Sequence, residues 1–222
     1  MNARFAAILF DFDGVLIESE LAGNRQLADW LTGAGHPTSV EESMERFMGL
    51  AGPDFHAAME RYIGGPLPDD FHRARAAEDE RAMREGVGEV AGAVAFVRSL
   101  PPALPRAVVS SSPVRWLRRH LAHLGLADAF GDHLYSGREH VARGKPAPDL
   151  YLYGAERLGV PIERCAIIED SPVGATGAVA SGAYVIGLVA GSHCGAGHAE
   201  RLRAIGVDAV AASFAEVAAL LG

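Results

Sequence analysis

Residues 8–15 of the chain read Ile-Leu-Phe-Asp-Phe-Asp-Gly-Val, an apolar run that ends in two aspartates spaced two apart and then a glycine. An apolar run bounded by a turn signal predicts a buried strand, which leaves Asp11 and Asp13 at its carboxyl end. Open α/β sheets bind ligands at such strand ends, where one acid can act as a nucleophile and the other can transfer protons. Read alone, the same residues also fit an acidic turn that caps the next element.

The rest of the sequence alternates strand and helix patterns. The predicted strands are residues 5–10, 106–110, 133–135, 165–168, 184–189 and 207–211. Helices between them are indicated by apolar residues three and four apart. Ser112 as N-cap with Pro113 in the first turn, and a Ser213/Glu216 capping box, mark helix starts, and Gly182 marks a helix end. This alternation predicts an α/β fold with a doubly wound parallel sheet, as in Rossmann-like proteins.

The alternation stops between residues 17 and 87, where only helical patterns occur. Ser39 and Glu42 have the spacing of a capping box at the start of one of these helices, and residues 69–85 are highly charged. We therefore predict two domains: a core formed by residues 1–16 and 88–222, and a smaller all-helical domain formed by residues 17–87. Inserted directly after the first strand, the helical domain would cover the carboxyl ends of the sheet.

The composition disfavours several classes of partner. The formal net charge is −8 at pH 7, whereas binding to nucleic acid or to an anionic membrane needs a basic surface. No apolar stretch reaches the roughly 20 residues of a membrane span, and residues 1–4 lack the pattern of a signal peptide. Cys165 and Cys194 form no disulfide framework, so we expect a cytoplasmic location. The sequence leaves the oligomeric state open and is compatible with a monomer.

Polar side chains also lie at the ends of other predicted strands. Ser110 and Ser111 offer hydroxyls and backbone N–H groups just before a helix, an arrangement that suits an anion. Lys145 follows the third strand, and the proline after it restricts its backbone to extended conformations. Glu169 and Asp170 form a second acid pair in front of another helix.

These acids would repel one another if they met without cations. Two like charges about 4 Å apart repel by roughly 4 kcal/mol at an effective dielectric constant near 20. Lys145 supplies one positive charge, and a divalent ion with carboxylate ligands would supply the rest. Mg²⁺ suits such a site because it takes few protein ligands and keeps water or phosphate oxygens as the others. The sequence therefore predicts Mg²⁺ as the cofactor.

In chain order, these residues resemble the four motifs of the haloacid dehalogenase (HAD) superfamily. The motifs are Asp11-x-Asp13, Ser110, Lys145 and Glu169-Asp170. The helical insert resembles the C1 cap of that superfamily, and the whole chain is similar to its β-phosphoglucomutase-like branch of small sugar-phosphate phosphatases. The resemblance implies a phosphatase that acts on a small phosphorylated metabolite, such as a sugar, polyol or sugar-acid phosphate.

The resemblance also implies a two-step phosphoryl transfer. Asp11 would attack phosphorus and form an aspartyl-phosphate. Asp13 would protonate the leaving group and then activate the water that hydrolyses the intermediate. Ser110, Ser111 and Lys145 would bind the phosphate oxygens, which agrees with the view that phosphoryl transfer depends on positioning and charge neutralisation.

The implied metal ligands overlap with the catalytic pair. Mg²⁺ would be held by the Asp11 carboxylate, the main-chain carbonyl of Asp13 and the Asp170 carboxylate, with Glu169 close by.

Two alternative functions remain open. The first is a phosphosugar mutase of the β-phosphoglucomutase type, but Gly23 stands where mutases of that branch carry a histidine. The second is a non-catalytic phospho-acceptor similar to receiver domains, which lack both a helical insert after the first strand and an acid at the position of Asp13. The entry to the insert also departs from the family pattern, with Glu18 in place of the usual aspartate.

Overall fold

The computed structural model describes residues 5–48, 50 and 52–222, apart from the side chain of Asp54. Residues 1–4, on which the signal-peptide interpretation rests, lie outside this range. The described residues form two compact units: the chain up to Glu18 together with Val87–Gly222, and Ser19–Gly86. In the described part of the chain, no helix has both the length and the apolar character that crossing a bilayer requires. The cytoplasmic location stays a prediction.

The larger unit is built on a sheet in which all neighbouring strands pair in parallel. The strands are β1 (Ala7–Phe10), β2 (Arg106–Ser110), β3 (Leu134–Ser136), β4 (Cys165–Glu169), β5 (Tyr184–Leu188) and β6 (Ala209–Ala211). Their order is β3-β2-β1-β4-β5-β6, the order of a doubly wound Rossmann-like sheet. The predicted fold class is therefore confirmed. The winding reverses between β1 and β4, and ligands of open α/β sheets bind at such a switch point.

The helices alternate with these strands everywhere except after β1. They are α1 (Ser19–Gly33), α2 (Val40–Phe47), α3 (Gly52–Ile63), α4 (Asp69–Glu85), α5 (Ala93–Ser99), α6 (Val114–His123), α7 (Ala127–Phe130), α8 (Asp149–Leu158), α9 (Pro172–Ser181), α10 (His198–Ile205) and α11 (Phe214–Leu221).

Alternate residues of β1 belong to two different hydrophobic cores. Ile8 and Phe10 pack in a core that includes residues of α5, α6, α7 and α11. Ala7 and Leu9 pack in a second core with residues of α8 and α9. Successive side chains of a strand point to opposite faces of the sheet, so a strand covered on both faces is apolar throughout. This explains why β1 reads as an unbroken apolar run that ends abruptly at Asp11.

Local chemistry sets several boundaries of these elements. Gly182 ends α9 with a left-handed φ of 85°, as predicted. Ser213 Oγ accepts the N–H of Glu216 at the start of α11. The Glu216 carboxylate, however, accepts the N–H of Ala212, so only one half of the predicted capping box forms. β4 is one residue longer than predicted because Glu169 still pairs with β5.

The described residues of the smaller unit form helices α1 to α4 and no strand. Its core consists of Leu27, Leu31, Phe47, Met59 and Phe71. Helix α2 begins with the predicted capping box, in which Ser39 and Glu42 each accept the other's backbone N–H. The sequence does not predict α4, because this charged helix buries only Phe71 and Ala82, too few residues for an apolar pattern. The role of this unit as a cap stays a prediction.

Gly177 allows α9 to lie against the segment that carries Lys145. A Cβ atom at Gly177 would lie 2.8 Å from the main-chain oxygen of Ala147 and 2.9 Å from that of Pro146. Both neighbours are backbone atoms, so the helix or the segment would have to move. We expect Gly177→Ala to lower the free energy of unfolding by about 1–3 kcal/mol, as overpacking does, in urea denaturation followed by circular dichroism.

Gly23→Ala is the matched control for this substitution. Gly23 lies inside α1, and a Cβ atom there would have no neighbour within 4 Å. Alanine is favoured over glycine in a helix by about 0.5–1 kcal/mol, so we expect Gly23→Ala to stabilise the protein by a similar amount. Equal stabilisation by both substitutions would contradict the close approach at Gly177.

Candidate active site

Lys145 connects two neighbouring strand ends through its ammonium group. Its Nζ lies 2.6 Å from Asp11 Oδ1 and also donates a hydrogen bond to Glu169 Oε1. Asp11 follows β1 and Glu169 ends β4, the two paired strands at the switch point. Only 4% of the Lys145 side chain is exposed. The structure thus brings three of the predicted site residues into one buried, ion-paired cluster.

The carboxylate of Glu169 is held on both oxygens. Tyr151 of α8 donates its hydroxyl to Oε1 at 2.6 Å. Oε2 accepts the backbone N–H groups of Asp170 at 3.1 Å and Ser171 at 3.2 Å, together with the Ser171 hydroxyl. Gly174 makes room for this carboxylate, because a Cβ atom there would overlap it. These contacts fix the orientation of a fully buried acid.

The cluster contains more acids than one lysine can neutralise. Burial raises the pKa of Asp11 well above its usual range, and the neighbouring Glu169 carboxylate adds to this effect. Burial alone would lower the pKa of Lys145, but the charges of Asp11 and Glu169 outweigh burial and raise it. Lys145 is therefore protonated at neutral pH, and a further cation beside Asp11 would favour the ionised form of that carboxyl.

Asp11, Glu169 and Asp170 together provide a candidate set of metal ligands. All three residues are buried, and each offers a carboxylate oxygen within 4.8 Å of the others. Carboxylate oxygens are ligands of hard divalent ions, and Mg²⁺ in particular binds a few of them and keeps its other positions for water and phosphate. This donor set, with its excess of negative charge, fits Mg²⁺. Ligation by the main-chain carbonyl of Asp13 stays a prediction.

The carboxylate of Asp13 is held by donors from the end of β2, the start of α6 and the turn between them. Its Oδ2 accepts the hydroxyl of Ser112 at 2.7 Å and that of Ser110 at 3.4 Å, and its Oδ1 accepts the indole N–H of Trp116 at 3.1 Å. The predicted role of Ser112 as the N-cap of α6 is wrong. Pro113 occupies that position, and the Ser112 hydroxyl is bonded to Asp13 instead.

The two serines that are predicted to bind phosphate differ in their surroundings. Ser110 is buried at the end of β2, and its Oγ accepts the N–H of Ser112 at 3.0 Å. Ser111 is exposed, and among the described residues no hydrogen bond joins its hydroxyl to the acidic cluster. Phosphate binding by either serine stays a prediction.

Sequence reasoning did not predict that Tyr151 contacts Glu169, or that Ser112 and Trp116 contact Asp13. Tyr151 belongs to an apolar helix pattern, and such a pattern does not reveal that a hydroxyl on the buried face reaches Glu169. A signal did exist for Trp116, which lies in the first turn of the helix after a polar strand end, where an indole N–H can reach the site.

Comparison with known proteins gives a consistent result. The family model described as haloacid dehalogenase-like hydrolase matches residues 5–182. Hexitol phosphatase A of Escherichia coli K12 is 31% identical over 190 residues, which cover 83% of this chain and 83% of that relative. The 6-phosphogluconate phosphatase of the same organism is 27% identical over 192 residues, which cover 86% of each chain.

A solved structure extends the similarity over nearly the whole chain. It is a HAD family hydrolase from Deinococcus radiodurans R1 with bound phosphate and sodium, which is 34% identical. The two folds superpose with a TM-score of 0.83 over 99% of this chain and 96% of that one.

The raised pKa of Asp11 predicts a pH-dependent stability in the absence of divalent cations. The folded protein binds this proton more tightly than the unfolded chain, so the resulting stability is complete below the ordinary pKa of about 3.9 and is lost as pH rises through the raised pKa. Asp11→Asn cannot ionise, so we expect it to raise the free energy of unfolding of the metal-free protein at pH 8.

The measurement is urea denaturation in EDTA at pH 5 and pH 8, for the original protein and Asp11→Asn. The increase in the free energy of unfolding should be smaller at pH 5 than at pH 8, because a larger fraction of Asp11 holds a proton at the lower pH. If Asp11→Asn raised the free energy of unfolding equally at both pH values, Asp11 would not titrate between them, which would contradict the expected effect of its burial.

Proposed function

Because the chain belongs to the haloacid dehalogenase-like hydrolases, we propose that it is a Mg²⁺-dependent phosphatase that uses Asp11 as its nucleophile. Its substrates are phosphate monoesters of small polyhydroxy metabolites: sugar, polyol or sugar-acid phosphates. The observation that carries the proposal is the cluster at the switch point of the sheet. There, buried Asp11 is paired with Lys145, and its carboxylate lies within 4.8 Å of those of Glu169 and Asp170.

The names of the relatives support the substrate class. Hexitol phosphatase A acts, by its name, on a polyol phosphate, and 6-phosphogluconate phosphatase on a sugar-acid phosphate. The similar hydrolase from Deinococcus radiodurans holds a phosphate ion. These three relatives support a site that recognises a phosphate group on a small polar molecule.

In the first step, a carboxylate oxygen of Asp11 attacks phosphorus and the bond from phosphorus to the ester oxygen breaks. Asp13, in its protonated form, gives its proton to the departing oxygen, which leaves as an alcohol. Ser110 at the end of β2 and Ser112 just after it hold Asp13, so this acid is oriented by the same segment that is predicted to bind phosphate. Lys145 offsets the negative charge that gathers on the phosphoryl oxygens.

In the second step, Asp13 acts as a base. Its carboxylate takes a proton from a water molecule, and the water oxygen attacks the phosphorus of the aspartyl-phosphate. The bond between phosphorus and the Asp11 oxygen breaks, which releases phosphate and restores the Asp11 carboxylate. Asp13 is again protonated and ready for the next ester, so one residue serves as acid and then as base.

Asp11, Glu169 and Asp170 would hold Mg²⁺, directly or through water. When bound, the ion adds positive charge beside the transferring phosphoryl group. Tyr151, Ser171 and the backbone around Glu169 keep that carboxylate in place while the charge of the cluster changes.

Sustained turnover distinguishes this proposal from both alternatives. The purified protein is incubated with Mg²⁺ and p-nitrophenyl phosphate, and then with a panel of phosphorylated sugars, polyols and sugar acids. We expect each protein molecule to release many phosphate ions, and Asp11→Asn to release none. The highest kcat/KM should be found for a polyhydroxy phosphate. Isomerised sugar phosphate without free phosphate would indicate a mutase. A single stoichiometric phosphorylation would indicate a phospho-acceptor.

The two roles of Asp13 predict a dependence on the leaving group. Asp13→Ala removes the acid, so we expect kcat on a polyol phosphate to fall by about 10²–10⁴-fold. Nitrophenolate leaves without a proton, so the first step with p-nitrophenyl phosphate should be far less affected. The second step still lacks its base, and the aspartyl-phosphate should accumulate as a burst of p-nitrophenol and as a phosphorylated peptide containing Asp11.

Asp132→Asn is a control for this experiment, because Asp132 is an exposed acid whose partner is the exposed Arg118. It should leave the kinetics of both substrates unchanged. If Asp13→Ala lowered kcat equally on both substrates and gave no burst of p-nitrophenol, the assignment of Asp13 as acid and base would be contradicted.

A further inference from the structure

The segment that follows β5 contacts Asp170 at two points. His193 Nε2 lies 2.7 Å from Asp170 Oδ2, and both side chains are almost completely buried. His198, the first residue of α10, places its Nε2 2.6 Å from the main-chain oxygen of Asp170. The phosphoryl-transfer steps described above use neither histidine.

The partners of His198 determine which of its ring nitrogens carries hydrogen. A main-chain carbonyl only accepts hydrogen bonds, so Nε2 must donate to Asp170. Arg201 Nη2 lies 3.1 Å from Nδ1, and a guanidinium only donates, so Nδ1 accepts. Arg201 thereby fixes the tautomer of His198, and the ring acts as a directional donor to the backbone of Asp170.

Two glycines make room for His193 beside Asp170. A Cβ atom at Gly14 would overlap Asp170 Oδ2 and would lie 2.9 Å from His193 Cε1. Gly14 also has a φ of 82°, which favours glycine over other residues. A Cβ atom at Gly191 would overlap the His193 ring. The imidazole therefore fits a space that the turn after β1 and its own loop leave open.

Glu18 also contacts this loop, through Ser192. The backbone N–H of Ser192 lies 3.1 Å from each carboxylate oxygen of Glu18, and the Ser192 hydroxyl also donates to this carboxylate. The sequence departs from the family pattern at Glu18, where aspartate is usual, and the structure gives the glutamate a partner next to His193.

The same loop also has the composition of a soft-metal site. His193, Cys194 and His198 offer ligand atoms within 4.8 Å of one another. However, His193 Nε2 and His198 Nε2 both face Asp170, and His198 Nδ1 accepts from Arg201. Both ring nitrogens of His198 are engaged, so a metal ion would have to break one of its bonds, and the contacts favour orientation of Asp170 over a second metal site.

We propose that His193 and His198 are positioning residues for the metal-binding carboxylate of Asp170. This inference rests on the proposed Mg²⁺ site. His193 holds one carboxylate oxygen and His198 holds the main chain, so the carboxylate is oriented before an ion arrives. Residues that hydrogen-bond a metal-ligating side chain in this way raise the affinity of a site, and their loss typically weakens it by about 10–100-fold.

A pair of amide substitutions tests the donor at His193. The amide nitrogen of glutamine extends about as far as Nε2 of histidine, whereas that of asparagine ends near the position of Nδ1. Mg²⁺ binding to the EDTA-treated, dialysed full chain is measured by isothermal titration calorimetry. We expect His193→Asn to raise the Kd by about 10–100-fold, and His193→Gln to stay within a few-fold of the original protein.

Kinetics provide a second readout. The Mg²⁺ concentration for half-maximal activity should rise in His193→Asn by the same factor as the Kd, while the KM for p-nitrophenyl phosphate at saturating Mg²⁺ stays unchanged. Two results would overturn the proposal. One is the same Kd for Mg²⁺ in the original protein, His193→Asn and His193→Gln; the other is an equal loss of Mg²⁺ affinity in the two variants.

Leu202→Ala is the matched control for loss of stability. Leu202 is a fully buried residue of α10, the helix that begins at His198. Its truncation should lower the melting temperature and leave the Kd for Mg²⁺ unchanged. A Kd that rises as far in Leu202→Ala as in His193→Asn would assign the effect to general destabilisation and overturn the proposal.

The calorimetric result is independent of the substrate. If the original protein binds Mg²⁺ and the amide pair differs as expected, the positioning role stands even if no phosphate ester is hydrolysed, and the proposed function alone fails. If the original protein binds no Mg²⁺, the positioning role fails.

Discussion

The structure of this site depends on a single ammonium group buried among carboxylates. Lys145 contacts Asp11 and Glu169 at once, and Asp170 lies within the same small volume. Buried charges are costly unless each is paired and hydrogen-bonded. Hydrogen bonds offset part of this cost for each acid. Tyr151 and backbone N–H groups donate to Glu169, and His193 lies against Asp170. What remains unbalanced is negative charge, which is the condition for binding a hard cation.

The topology of the sheet explains why this charge can gather at one point. Asp11 and Glu169 are far apart in sequence, but β1 and β4 are neighbours and their carboxyl ends lie at the same edge. β2 pairs with the other side of β1. Ser110 at its end, and Trp116 a few residues later, therefore lie next to Asp13. The helical insert after β1 leaves this arrangement intact, because parallel strands need long connections in any case.

Sequence reasoning could predict the fold and the positions of Asp11, Lys145 and Glu169, since each follows or ends a strand pattern and together they match family motifs. It did not predict which side chains inside helices or turns contact these residues. Tyr151 reads as one more apolar helix residue, yet its hydroxyl binds Glu169. Ser112 reads as a helix cap, because serine before a proline is typical of one, and its hydroxyl instead binds Asp13.

The central place of β1 in the sheet has a consequence for biosynthesis. β1 is translated first, yet its partners β2 and β4 begin only at Arg106 and Cys165. The apolar strand therefore leaves the ribosome with both edges unpaired, and Ser19–Gly86 emerges before either neighbour exists. A nascent chain in this state exposes an aggregation-prone strand until β2 has been made for one edge and β4 for the other.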